Sequence, residues 1–265
     1  GVGVRELQGR AAVVTGGASG IGRALVRSLA DAGASVAIAD VDLASAEALR
    51  DEIVASARRA IAVRCDVSRY ADVQALAEQV HERLGDVAVL CNNAGIGGGL
   101  GPEAIDLSVP DWEAILGVNL FGVIHGVRAF APRMVAACAG AHIVNTASMA
   151  AFLPAPRTGP YTTSKFAVVG LSEVMRAELA PRGVGVSVLC PGPYRTAIWG
   201  DAEAGAQGDD PAVLGPRVLA AIASDEPFIF THPEFASALS RRFARIADDL
   251  RQAGPAMQAA RHRVV

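Results

Sequence analysis

The chain has 265 residues, a formal net charge of −3 and a sequence pI near 6.0, with 51% hydrophobic and 19% charged residues. That balance gives no basic surface for a nucleic-acid partner and leaves ample material for a large core. Its apolar runs, such as AAVVTGG and VAVLCNNAG, are strand-length, and the N-terminal GVGVRELQGR lacks a charged region followed by an apolar one, so neither a membrane span nor a secretory leader is expected.

Seven strand-length runs follow in order, at 10–16, 34–40, 60–66, 86–92, 141–148, 185–191 and 227–231. Segments of helical period separate them, among them IGRALVRSLADAG and ADVQALAEQVHERLG. Alternation of continuously apolar strands with helices predicts an α/β fold, a doubly wound parallel sheet of the Rossmann type. With no linker or internal repeat, residues 1–265 read as a single nucleotide-binding domain. Residues 192–211, which include the small and acidic GDAEAGAQGDD, read as a substrate lid, and 233–253 as a C-terminal helical extension with Phe235, Leu239, Phe243, Ile246 and Leu250 on or near one face. Cys65, Cys91, Cys138 and Cys190 are widely spaced, without a CxxC or a zinc spacing. Buried reduced thiols, no metal and a cytoplasmic location are expected.

The first strand runs into TGGASGIG (15–22) and then a helix. Gly16, Gly20 and Gly22, with Ser19 and Ile21 between them, form a turn that lets backbone approach a pyrophosphate at a helix N-terminus. Asp40 ends the second strand. A carboxylate there accepts from both hydroxyls of an adenosine ribose and repels a 2′-phosphate, so NAD is expected over NADP. Asp66 and Val67 in CDV are placed at the adenine. Asn92, Asn93, Ala94 and Gly95 end the fourth strand at the same crevice.

YTTSK (161–165) holds the only lysine of the chain; every other basic residue of the Lys and Arg set is arginine. Tyr161 and Lys165 fall one turn apart on a helix. An ammonium there favours the phenolate, fitting Tyr161 to take a proton from an alcohol or return one to a carbonyl. Lysine suits the place because a compact ammonium reaches two ribose hydroxyls where a planar guanidinium is wider. Ser148 closes the fifth strand and offers a hydroxyl to the substrate oxygen. Asn119, inside an apolar helical run, needs a polar partner and can hold a water that links Lys165 to solvent.

TGGASGIG, CDV, NNAG, VNL, Ser148 and YTTSK, in that order over roughly residues 8–200, resemble the short-chain dehydrogenase/reductase family. The resemblance implies a catalytic tetrad of Asn119, Ser148, Tyr161 and Lys165, with Tyr161 the acid/base. It implies that PGPYRT carries a nicotinamide-binding turn with Pro191, Gly192 and Thr196, and that the protein is a homo-oligomer, a tetramer or a dimer. Gly97, Met149, Ala150, Leu153, Pro193, Tyr194 and Trp199 are expected around the substrate, mostly small or apolar. The function expected is hydride transfer between a nicotinamide and a fairly apolar secondary alcohol or ketone. An NADP-dependent ketoreductase and a non-catalytic NAD-sensing module are the alternatives.

Overall fold

The computed structural model describes residues 6–97, 101–137, 140–196, 198 and 208–261. Its strands are β1 Ala11–Thr15, β2 Ser35–Asp40, β3 Ala60–Arg64, β4 Val87–Asn92, β5 Ala141–Thr146, β6 Val184–Cys190 and β7 Phe228–Phe230. They make a 7-stranded sheet in the order β3-β2-β1-β4-β5-β6-β7, with every neighbouring pair parallel. Each strand falls within a residue or two of its sequence run, because an unbroken apolar segment of five to seven residues is at home only between two covering layers.

The helices supply those layers: α1 Gly20–Asp31, α2 Leu43–Ala55, α3 Tyr70–Leu84, α4 Val109–Leu116, α5 Gly122–Ala137, α6 Gly159–Leu179 and α7 Leu214–Ser224. One face of the sheet packs on Leu25 and Leu29 of α1, Leu49 of α2 and Ile222 of α7. The other packs on Leu76 of α3, Phe130 and Met134 of α5 and Met175 of α6. Phe130 is fully buried, and such a ring contributes roughly 1.5–3 kcal/mol by leaving water. Local chemistry sets the helix starts. Asp42 accepts from the Ser45 amide ahead of α2, Ser108 and Asp111 form a capping box at α4, and Pro160 sits in the first turn of α6.

Two features depart from the sequence reading. The run containing Asn119 is not one α-helix: a π-helical turn, Gly117–Phe121, separates α4 from α5. And the whole helical stretch Val109–Ala137 is long and apolar enough to cross a membrane, by length and composition. Polar residues such as Asn119, His125 and Arg128 interrupt it in sequence, which hides its length from a search for unbroken apolar runs. Here Phe130 and Met134 belong to the core.

By backbone contacts the chain divides at Thr231, and a second unit begins at His232. That unit consists of a 3-10 turn, Pro233–Phe235, and the helix α8, Ala236–Arg261. The helix is eight residues longer than the expected 233–253 extension at its C-terminal end.

Candidate active site

The strand order reverses between β1 and β4, so the loops that leave their carboxyl ends diverge and open a crevice. A cavity of about 300 Å³ lies there. Its walls include Gly16, Ser19, Gly20, Ile21, Gly22, Asp40, Asp66, Val67, Asn93, Ala94, Gly95, Tyr161, Lys165, Pro191 and Thr196, each of them a sequence-predicted site residue. Val41, Cys65, Ile96, Val118, Thr146, Ala147 and Ile198 complete the lining. Of these, the sequence places Ile198 near the reacting centre and Val41 beside Asp40; it assigns the others no part in the site, and their adjacency to strand ends was the available signal.

The glycine turn is tight for identifiable reasons. Gly16 has φ +59°, and a Cβ on it would stand 2.8 Å from the Ala94 Cα. A Cβ on Gly22 would stand 1.9 Å from the Gly16 carbonyl oxygen, so helix and loop close onto each other only without side chains. Ser19, at the N-cap of α1, makes no side-chain cap bond, which leaves the amides of the first turn for a ligand. Thr15 ties the two diverging loops together: its hydroxyl accepts from the amides of Asn93 and Ala94 at 3.0 and 3.1 Å. Asn93 returns the link, donating from Nδ2 to the carbonyls of Thr15 and Gly16.

Asp40 already has work at this turn. One carboxylate oxygen accepts from the Ala18 amide at 3.0 Å and the other from the Asp42 amide at 3.1 Å. It therefore fixes the loop while holding a negative charge at the crevice edge. Asp66 accepts from both the amide and the hydroxyl of Ser68, so its carboxylate also closes its own turn. Asn92 does not line the crevice. Its Nδ2 donates to Asn145 Oδ1 at 2.9 Å beneath the sheet edge, and Gly126 leaves the room for its carboxamide.

At the far end, α6 presents Tyr161 and Lys165 on one face, both buried. Lys165 Nζ donates to the Thr146 carbonyl at 3.0 Å and stands 5.5 Å from the Tyr161 ring centroid. Ser148 follows β5, accepts from the Ala150 amide at 3.1 Å and hydrogen-bonds the Tyr161 phenol. Asn119 accepts on Oδ1 from the Ile96 amide at 2.8 Å and donates from Nδ2 to the Ile96 carbonyl and to Ser164 Oγ. Ser164 in turn donates to the Tyr161 carbonyl. The π turn thus aims one carboxamide at both the loop after β4 and the helix that carries Tyr161. A Cβ on Gly95 would lie 3.4 Å from Asn119 Oδ1 and 3.5 Å from Lys165 Nζ, so this glycine occupies the gap between them.

The electrostatics differ from the sequence expectation. Burial pushes the Tyr161 phenol up, opposed by its hydrogen bond to Ser148, rather than down. Burial also lowers Lys165 to about 8, with a small opposing effect from Cys190. Desolvation acts on both groups at once, and a spacing rule for Tyr and Lys carries no information about burial.

The described residues expected around the substrate are not part of this cavity's lining. Gly97, Met149, Ala150, Leu153, Pro193 and Tyr194 do not line the cavity. Tyr194 is buried in a bridge to Asp209, and Gly97 donates to the Ile198 carbonyl at 2.8 Å. Met149 donates its amide to the Pro191 carbonyl at 2.9 Å, joining the turn after Ser148 to the turn after β6. Gly192 donates to Thr231 Oγ1. Trp199, Cys138 and residues 201–207 of the expected lid lie outside the described residues. Cys65, Cys91 and Cys190 are buried free thiols, and no metal-binding cluster occurs among the described residues.

Comparison with known proteins agrees with this geometry. The family model for short chain dehydrogenases matches residues 10–207. The 1-deoxy-11-beta-hydroxypentalenate dehydrogenase of Streptomyces exfoliatus is 36% identical over 234 residues, 86% of this chain and 85% of that protein. The D-threitol dehydrogenase of Mycolicibacterium smegmatis is 39% identical over 204 residues, 77% of each chain. A short-chain dehydrogenase/reductase of Burkholderia phymatum, solved in complex with NAD, superimposes with a TM-score of 0.88 at 36% identity, covering 93% of this chain and 97% of its own. The protein belongs to the short-chain dehydrogenase/reductase family and is an oxidoreductase acting on CH–OH groups.

Proposed function

We propose that the protein transfers a hydride between a nicotinamide dinucleotide, NAD in preference to NADP, and a fairly apolar secondary alcohol or ketone. The observation that carries this reading is the placement of Tyr161 and Lys165 at one end of a crevice that has Asp40 and the glycine turn at the other. The residues present fit such a cofactor. Gly16 and Gly22 allow close backbone approach, the first turn of α1 has free amides, and Asp40 brings negative charge where a 2′-phosphate would sit. When bound, the nicotinamide supplies the hydride acceptor or donor.

This chain's residues do the rest. Tyr161 holds the transferable proton on its phenol oxygen, and Ser148, already hydrogen-bonded to that phenol, steadies the substrate oxygen beside it. Lys165, with a pKa of about 8, remains largely an ammonium at neutral pH and brings positive charge within reach of the phenol. Asn119 fixes the Ile96 backbone and the start of α6, so its part is to hold the crevice rim against the proton-transfer pair. Met149, Ala150 and Leu153 follow Ser148 directly and provide the apolar neighbourhood of the substrate. Buried free thiols support a cytoplasmic setting, and the protein is expected to work as a homo-oligomer.

The test is Tyr161→Phe, assayed by NADH absorbance over a panel of secondary alcohols and ketones. Turnover should fall by at least about 100-fold, the usual range for losing a general acid/base. NAD binding by fluorescence titration should change little. Robust oxidation by the variant, or a wild-type enzyme faster with NADP, overturns the corresponding half of the proposal.

A further inference from the structure

Along α8 the apolar residues fall at Leu239, Phe243, Ile246, Leu250, Ala253 and Met257. The intervals alternate between four and three residues, the 3.5-residue period of a seam that meets another helix. Phe243, Ile246, Leu250 and Met257 are 51%, 45%, 75% and 55% exposed, so this line of large side chains is open to solvent. The charges that flank it are informative. Arg242 precedes Phe243 and Asp249 precedes Leu250, one heptad apart on the same side of the seam.

We propose that α8 pairs antiparallel with α8 of a second copy of this chain. In the favoured register Phe243 packs against Ile246 of the second copy, and Leu250 against its Leu239. Arg242 then meets Asp249 of the second copy, and the two-fold symmetry repeats the ion pair on the other side. Sliding the helices by one heptad in one direction sets Asp249 against Asp249; in the other it sets Arg242 against Arg242. Both are like-charge contacts. A parallel pair sets Arg242 against Ala247 and Asp249 against Gly254, with no ion pair. Surface pairs of this kind contribute little affinity, but here they choose the register and the orientation. The seam is narrow, and Asp249 runs beside it, which suits a helix partner better than a lipid surface.

The full-length double variant Arg242→Cys, Asp249→Cys tests the pairing, with Leu239, Phe243, Ile246 and Leu250 left to align the helices once the charges are gone. Within one helix these positions are two turns apart, about 10 Å, beyond the roughly 7 Å that a disulfide tolerates. Mild oxidation should therefore give a covalent dimer, reversed by reductant, in most of the sample, while each single variant and the wild type run as single chains on a denaturing gel. Adding the surface change Leu250→Asp should reduce the cross-linked fraction at least fivefold, with the circular dichroism of the chain retained. A cross-linked fraction no greater than in the single variants overturns the proposal. So does Leu250-dependent binding to phosphatidylserine vesicles without cross-linking, which would assign the seam to a lipid surface. The measurement uses no turnover, and its outcome is separate from that of the hydride-transfer reading.

Discussion

Lys165 is the residue whose chemistry is most tightly constrained by its surroundings. It is 2% exposed, its ammonium donates to the Thr146 carbonyl, and the rim of its pocket is Gly95. A guanidinium keeps the charge but is broader and planar, and its fork does not reproduce the single ammonium contact to the Thr146 carbonyl. Lys165→Arg is expected to lower kcat/KM by about two orders of magnitude with the fold intact by circular dichroism. Full activity would mean that charge alone suffices there. Asp40 is the complementary case at the other end. In the proposed reading its charge opposes a 2′-phosphate, but both its oxygens also hold the loop. Asp40→Ala should raise the NADP-to-NAD ratio of kcat/KM at least about tenfold, roughly 1.4 kcal/mol, and should weaken NAD binding as the turn loosens. Asp40→Asn separates the two effects, because it removes the charge and keeps an acceptor for one amide.

At the scale of elements, the ends of β5, β6 and α6 away from the crevice are joined by a buried polar cluster. His142 in β5 is wholly buried; its Nε2 meets Ser187 Oγ at 2.8 Å, and Ser187 donates to the Glu226 carbonyl. With the serine proton used in that way, Nε2 is the protonated nitrogen, and Nδ1 has no hydrogen-bond partner. It faces Asp225 at 4.0 Å, and Arg176 of α6 holds that carboxylate in a two-pronged pair. Burial lowers His142 to about 4; Asp225 opposes the shift and Arg176 reinforces it. Because the folded pKa lies below the unfolded value of about 6.5, the unfolded chain binds the extra proton first. Stability is thus complete above about pH 6.5 and is lost as pH falls toward 4, by about 3 kcal/mol when integrated over the shift. Urea midpoints from pH 7 to 4.5 should show this slope in the wild type. In His142→Gln the slope should be shallower, at a lower baseline; an unchanged difference between the two proteins across that range would remove His142 from the account. None of this cluster was legible in the sequence. Its parts lie tens of residues apart, and only the parallel register of β5 and β6 brings them together.

At the scale of the molecule, what could be read from the chain was whatever has a local signature. Seven apolar runs located seven strands, and the glycine turn, Asn93–Gly95 and the Tyr161–Lys165 pair landed on one crevice because carboxyl ends of parallel strands share an edge. Side-chain destinations were less legible: Asn92 turns beneath the edge because Gly126 makes room, and Asn119 acts through a π turn that no periodicity announces. Those destinations matter for how the crevice responds to a ligand. Its walls come from the loops after β1, β2, β3, β4, β5 and β6, from the π turn and from α6, and Thr15 and Asn93 already tie two of the loops together. A dinucleotide that spans from Asp40 to Lys165 would add links between loops that a few hydrogen bonds already join, and it has no comparable site on the unfolded chain. Ligand linkage then fixes the size of the effect: at 100 times its Kd, NAD should add about 2.7 kcal/mol, which raises Tm by roughly 5–10 °C for a chain of this size. If Asp40 discriminates as proposed, NADP at the same concentration should give a smaller rise, and in Asp40→Ala the two shifts should converge. Differential scanning fluorimetry of the three combinations measures this without any substrate, and equal shifts for NAD and NADP in the wild type would show that Asp40 serves the loop alone.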